Sequence, residues 1–321
     1  MLFTLGLFLV IGIYSKVTRA ESSDIPEQAQ QTGYTVSTFS STFTDDIDFQ
    51  NTRQAGYKWY LEDFYGQPSA NPEDFEFMPD GALVINSGIQ GEIATATRYR
   101  PGKASRQWVG AAFGGGGYFE AEIKFDSAAV LKQPRKEGWP AFWAMSIEHR
   151  AGLPEEQWIG QDKGFVHFIE VDIMEYLYKG FYAIGKYGTN LHLWYGQYLK
   201  TCSEGAFCKV SLPYLDRAAK VSDSTDFNQF HKYGFLWVPA TGEKKGFAQF
   251  YFDNHPVGKK VTWPQFAKQE PSAKLWPWTY ALLDRQHLIL LLGTGNGLPM
   301  TVRAVNVWQK STQDNLISQP Q

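Results

Sequence analysis

An all-β fold, a sandwich or barrel built as one domain, is the class this sequence predicts. Three observations predict it. Aromatic side chains make up 16% of the chain, and turn-forming residues are plentiful, with 30 Gly and 16 Pro. That balance favours short strands joined by turns over helices. Tyr118 to Phe125 alternates cleanly: Phe119, Ala121, Ile123 and Phe125 share one face, and Glu120, Glu122 and Lys124 the other. This is the period of a half-buried strand. No long stretch carries a 3.6-residue period, and no internal repeat is evident. The length of 321 residues is near two domains by ordinary size, yet single sandwiches reach roughly 200–250 residues.

The elements follow in order. Leu2 to Tyr14 is an apolar run broken by Thr4 and two glycines, and Thr18-Arg19-Ala20 follows it as a small-residue cleavage site. The run is too short for a membrane span of about 20 residues, so residues 1–20 are expected to be a signal peptide. The run has no Lys or Arg before it, and a retained N-terminal anchor is the alternative. A secreted or periplasmic mature chain, with no membrane association after cleavage, is the expectation. Residues 21–41 are polar and are expected to be a linker, residues 42–310 the single β-sandwich domain, and residues 311–321 a polar tail. Within the domain, Gly81 to Asn86 follows a Pro-Asp-Gly turn. Tyr233 to Val238 and Phe247 to Phe252 are further strands, the second ended by the Asp253-Asn254 turn signal. Leu288 to Leu292 has the continuous apolar pattern of a buried strand. Loops are expected near residues 127–137, 148–164 and 220–229.

Several functions lose support. The formal net charge is −3, from 30 basic and 33 acidic residues, which provides no strongly basic face for nucleic acid. Gly180 to Lys186 has the spacing of a phosphate loop, but Tyr187 stands where a magnesium-binding hydroxyl is needed. The glycine clusters Gly114–Gly117 and Gly293–Gly297 lack the dinucleotide spacing. There is no H-E-x-x-H and no G-x-S-x-G. No cofactor and no metal are expected. Cys202 and Cys208 close a small glycine-containing loop. Export favours a disulfide between them, two separate thiols being the alternative. No His or Cys pattern nearby completes a zinc site.

What remains is Val166-His-Phe-Ile-Glu170-Val-Asp172-Ile-Met-Glu175-Tyr-Leu, with three carboxylates interleaved among apolar residues. In a regular strand Glu170 and Asp172 face one side and Glu175 the other. One extra residue absorbed as a β-bulge near Ile173–Met174 brings Glu175 round to join them. The backbone separation is then about 13 Å of rise. Two long Glu side chains leaning together could narrow it to the roughly 5–5.5 Å of a retaining glycosidase. The alternatives are a solvated strand edge or a calcium cluster. A solvated edge would alternate without this break in phase, and calcium prefers loop carboxylates and carbonyls.

The surroundings of these acids resemble glycoside hydrolase family 16, the laminarinase and lichenase group. Its signature Glu-x-Asp-x-x-Glu on a bulged strand is matched by Glu170-Val-Asp172-Ile-Met-Glu175. Phe39 to Trp59, Gly117 to Lys124, Gly138 to Trp143, Phe230 to Trp237, Phe250 to Asp253 and Val302 to Gln309 resemble its other blocks in the same order. The resemblance implies an antiparallel jelly-roll sandwich, concanavalin-like, with a concave sugar-binding cleft. It also implies retaining endo-hydrolysis of a β-linked polysaccharide, with Glu170 as nucleophile, Glu175 as acid/base and Asp172 tuning the nucleophile. The family often carries a calcium-binding Asp near its C-terminus, where this chain has Arg303. No calcium is expected at that position.

Sugar rings offer apolar C–H faces, so aromatic platforms beside polar donors are the expected binding residues. Trp139 and Trp143 share strand parity before the catalytic strand. Trp108 and Trp194 are further candidates, each with core packing as the alternative. His192 resembles the cleft-facing His that family members carry after the catalytic strand. The candidate strands from Trp139 to Trp143 and from Phe168 to Glu175 hold no Lys or Arg. A neutral β-1,3- or mixed-linkage glucan is therefore favoured over a sulfated galactan. A monomer acting on a polysaccharide is expected. A non-catalytic carbohydrate-binding jelly roll and a polysaccharide-remodelling transglycosylase stay open beside the hydrolase.

Overall fold

The computed structural model describes residues 25–61, 70–86, 92–98, 108–132, 139–148, 165–176, 186–197, 208–211, 219–265, 280–294, 298–311 and 315–318. The signal-peptide segment and Cys202 lie outside them, and with Cys202 the expected disulfide. The described strands are β1 Val36–Ser41, β2 Ile47–Asp48, β3 Trp59–Leu61, β4 Phe75–Phe77, β5 Leu83–Ile85, β6 Glu92–Ala94, β7 Ala96–Arg98, β8 Trp108–Phe113, β9 Gly117–Phe125 and β10 Ala141–Ser146. They continue with β11 Phe165–Glu175, β12 Lys186–Gln197, β13 Cys208–Ser211, β14 Ala219–Lys220, β15 His231–Val238, β16 Gly246–Phe252, β17 His255–Trp263, β18 Leu288–Gly293, β19 Met300–Gln309 and β20 Asn315–Ser318. Helices are short: α1 Glu27–Gln31, α2 Ser127–Lys132, and single 3-10 turns. The all-β expectation holds.

Two sheets form an antiparallel sandwich. The smaller has the order β17-β16-β15-β9-β19-β5-β4, with β1 added beside β19. The larger runs β13-β12-β11-β10-β18-β6-β3-β2, with β14 joined through β12 and β8 through β18. Of its pairings, β2 with β3 is parallel. Strand alternation divides every long strand between two environments. Phe119, Ala121, Ile123 and Phe125 enter the inter-sheet core, where they meet Phe142, Val171, Leu290 and Leu292 of the opposite sheet. Each of the Phe, Ile, Val and Leu side chains among them contributes about 1.5–3 kcal/mol of burial.

The opposite face of β9 is less solvated than its charges imply. Glu120 is buried, accepts a hydrogen bond from the Tyr118 hydroxyl at 3.2 Å, and lies 3.5 Å from Lys232 Nζ. The reason is the N-terminal segment. Ile25, Ala29 and Tyr34 pack against Tyr118, Leu236 and Trp308 on the outside of the smaller sheet, and the Tyr34 hydroxyl donates to the Trp237 carbonyl at 2.9 Å. This corrects the linker expectation, because residues 27–31 form α1 and residues 36–41 form β1 along β19. The expected tail likewise contributes β20, which pairs with β8, and the expected loop after Phe125 begins with α2. Gly234 is required beneath this face: a Cβ there would stand 2.1 Å from the Tyr118 hydroxyl.

Candidate active site

Strand β11 lies between β10 and β12, and its register carries the site. Asp172 is opposite Asn190, but Glu175 is opposite Gly188, so one residue of β11 is unmatched. The same slip appears against β10, where Met174 pairs with Phe142 and Asp172 with Trp143. Ile173 and Met174 both point into the inter-sheet core. Two successive core-facing residues are the mark of a β-bulge. The apolar pair drives it, because burying both side chains outweighs one lost ladder position. Glu175 is thereby turned onto the outer face of the larger sheet with Glu170 and Asp172.

The acids are embedded rather than solvated. Glu170 is 8% and Asp172 3% exposed. Buried carboxylates need donors, and the sequence supplies them from both sides. The Trp194 indole N–H donates to Glu170 Oε2 at 2.5 Å. The Trp139 indole N–H donates to Glu175 Oε1 at 3.0 Å. His192, itself buried, places Nε2 2.9 Å from Asp172 Oδ2. Trp139 reaches Glu175 because Ala141, two residues on, is the register partner of Glu175. Pro140 holds Trp139 extended, and its carbonyl accepts the Tyr176 N–H at 3.0 Å. In the middle of β11, Gln286 Oε1 accepts the Ile169 N–H at 3.0 Å, beside Glu170.

Around the acids the outer face is apolar. Trp143, Met145, Phe168, Ile289 and Leu291 form one buried cluster, with Trp108, Trp139 and Trp194 packed against it. All four candidate tryptophans and His192 therefore gather on the face that carries the acids. Two of the tryptophans, however, turn their N–H groups onto the glutamates. Sequence spacing identified their strand and face but carries no information on where an indole nitrogen points.

Sequence reasoning missed three further residues of this face. Asn190, opposite Asp172, is buried there; its parity with His192 was an available signal. Lys186 shares that parity at the start of β12, so a cation does border the acid face. Glu92 is opposite Gly293, and its side chain lies across that glycine, where a Cβ would stand 2.4 Å from Glu92 Cγ. Nothing around Glu92 in the sequence marks it.

Glu170, Asp172 and His192 offer ligand-type atoms within 4.8 Å of one another, a donor set of the kind that binds zinc. Arg303 sits on the other sheet, its Nη1 2.5 Å from Glu122 Oε1 and its guanidinium 3.7 Å from the Phe230 ring centroid.

No family model and no curated protein matches the chain. Among solved structures it is similar to an endo-1,3-beta-glucanase from Streptomyces sioyaensis, at 18% identity over 88% of this chain and 96% of that one, with a TM-score of 0.44. It is similar to beta-agarase A from Zobellia galactanivorans, at 15% identity over 81% and 84%, with a TM-score of 0.41. It is also similar to the Emp46p carbohydrate recognition domain, at 10% identity over 82% and 95%, with a TM-score of 0.32. These are distant likenesses.

Proposed function

We propose that this chain is a retaining endo-glycosidase that cleaves a β-linked polysaccharide by double displacement. The observation that carries the proposal is the bulge at Ile173–Met174, which sets Glu170, Asp172 and Glu175 on one aromatic-lined face. In the first step a Glu170 oxygen attacks the anomeric carbon while Glu175 gives its proton to the departing glycosidic oxygen. The products are a glycosyl ester on Glu170 and the shortened glycan. In the second step Glu175 takes a proton from water as that water attacks the anomeric carbon, which releases Glu170 with net retention. Asp172, in contact with His192, stands between the two glutamates in sequence and orients the nucleophile's surroundings. The resemblance to glycoside hydrolase family 16 supports the same division of labour.

The favoured substrate is a neutral β-1,3- or mixed-linkage glucan. Its support is the partly buried rings of Trp108 and Trp139, packed against the buried cluster of the acid face, which suit the C–H faces of unsubstituted sugars. The apolar N-terminus of the sequence supports an exported protein. Incubation with β-1,3-glucan, mixed-linkage glucan, agar and carrageenan tests the function. Reducing ends are expected from the first two. Binding without release would replace the enzyme by a carbohydrate-binding module, and transfer to added oligosaccharide in place of release would make it a transglycosylase.

A further inference from the structure

The placement of Trp194 assigns it a different task from a sugar platform. On β12 it is the register partner of Phe168, two residues before Glu170. Diagonal neighbours across an antiparallel pair come within reach of long side chains. The indole uses that reach: its N–H donates to Glu170 Oε2 at 2.5 Å. Its ring lies parallel to Phe168, with centroids 6.0 Å apart and an interplanar angle of 12°. One ring face is thus committed to Phe168, and the polar edge to the carboxylate. An indole nitrogen is a donor only, so in this contact it can present nothing but hydrogen to Glu170. The last torsion of a glutamate is intrinsically broad, and a donor fixed on one oxygen narrows it.

We propose that Trp194 is a positioning residue for the nucleophile: seated on Phe168, it holds one oxygen of Glu170 and so sets the carboxylate's rotation for attack at the anomeric carbon. The role rests on the retaining-glycosidase reading given above. Small losses of alignment at a reacting atom are costly, up to about a hundredfold for a displacement near 1 Å. The effect belongs to kcat, because a misaligned nucleophile impairs attack without removing a contact made equally in the ground state.

The test separates ring from donor. Trp194→Phe keeps an aromatic ring and removes the N–H. Replacement of Trp194 by benzothienylalanine keeps the bicyclic shape with sulfur in place of N–H, should phenylalanine impair folding. Each variant is expected to lose kcat about tenfold or more, with KM within twofold; the melting temperature falls with the loss of a donor to a buried carboxylate, but the protein stays folded at the assay temperature. The same changes are then made in Glu170→Ala, with azide rescue of an activated glycosyl fluoride as the readout. With no carboxylate to position, the rescued rate is expected to stay within twofold. Equal losses in both backgrounds would overturn the proposal in favour of a sugar contact, and no loss in the active wild-type background would overturn it outright. In 1H–15N spectra the Trp194 indole resonance is expected to move upfield in Glu170→Gln; an unmoved resonance would contradict the contact itself. Wild-type protein without activity on any glycan removes the glycosidase reading and this role with it, an outcome distinct from an active enzyme indifferent to Trp194.

Discussion

Glu175 sits opposite Gly188 on the neighbouring strand, one position away from where an unbroken ladder from Asp172 would put it. That single slip moves a carboxylate from the inter-sheet core to the face that carries Glu170 and Asp172. It also brings Glu175 under the Trp139 indole, whose N–H donates to it at 3.0 Å.

Trp139 is therefore expected to matter through its nitrogen. Trp139→Phe should lower kcat about tenfold on an unactivated glucan, because a misaligned acid delivers its proton poorly. An aryl glycoside with a good leaving group needs little proton transfer and should lose less than threefold. Parallel kinetics on the two substrates check this, and equal losses would assign Trp139 to sugar stacking instead.

A half-buried carboxylate, Asp284, forms a structural node away from the acids. Asp284 accepts the Trp237 indole N–H at 2.9 Å, the Ala240 backbone N–H at 2.9 Å and the Trp263 indole N–H at 2.7 Å. Burial pushes its carboxyl above the usual range, and these donors pull it back only in part. Asp284→Ala strands the donors, each worth about 1–3 kcal/mol when left unsatisfied. A loss of about 3 kcal/mol in urea unfolding is expected, and a change under 1 kcal/mol would show that water replaces the carboxylate.

The His231–Asp253 pair links stability to pH. His231 Nδ1 lies 2.7 Å from Asp253 Oδ2. That hydrogen bond raises the imidazole above its ordinary value of 6.5, against the opposing effect of burial. Burial pushes the Asp253 carboxyl up, but the hydrogen bonds from His231 and the Lys232 backbone outweigh it and leave it lowered from 3.8. A raised histidine stabilises fully below its unfolded pKa, and this is lost as pH rises through the folded one. A lowered carboxylate stabilises above its unfolded pKa, and this is lost as pH falls through the folded one. The pair thus contributes most between about pH 4 and 6.5. The melting-temperature gap between wild type and Asp253→Asn should be widest there and narrow toward pH 8. A gap that is flat across this range would contradict the assignment.

How far the sequence foretold this structure depended on locality. The alternation in Tyr118 to Phe125 is a short-range pattern that gave strand and core face, and the spacing of Glu170, Asp172 and Glu175 is another, which a bulge near Ile173–Met174 would reconcile on one face. The docking of Ile25, Ala29 and Tyr34 onto Tyr118 and Trp308 joins distant segments through few apolar residues in a polar stretch. It therefore read as a linker, and Glu120 as exposed. The same limit applied at the site. Glu170, Asp172, Glu175 and His192 sit in a periodic context, whereas Glu92 joins the face only because a strand pairing brings it over Gly293.

The central claim is the division of labour between Glu170 and Glu175, and the anomeric configuration of rescued products tests it most directly. Glu170→Ala should lose at least about a thousandfold in kcat. With azide and an activated glycosyl fluoride it should form product of inverted configuration, because one displacement has replaced two. Glu175→Ala should be rescued by azide with retained configuration, since the glycosyl ester on Glu170 still forms. Proton NMR of the anomeric signals distinguishes the two. Inverted product from Glu175→Ala and retained product from Glu170→Ala would contradict the account.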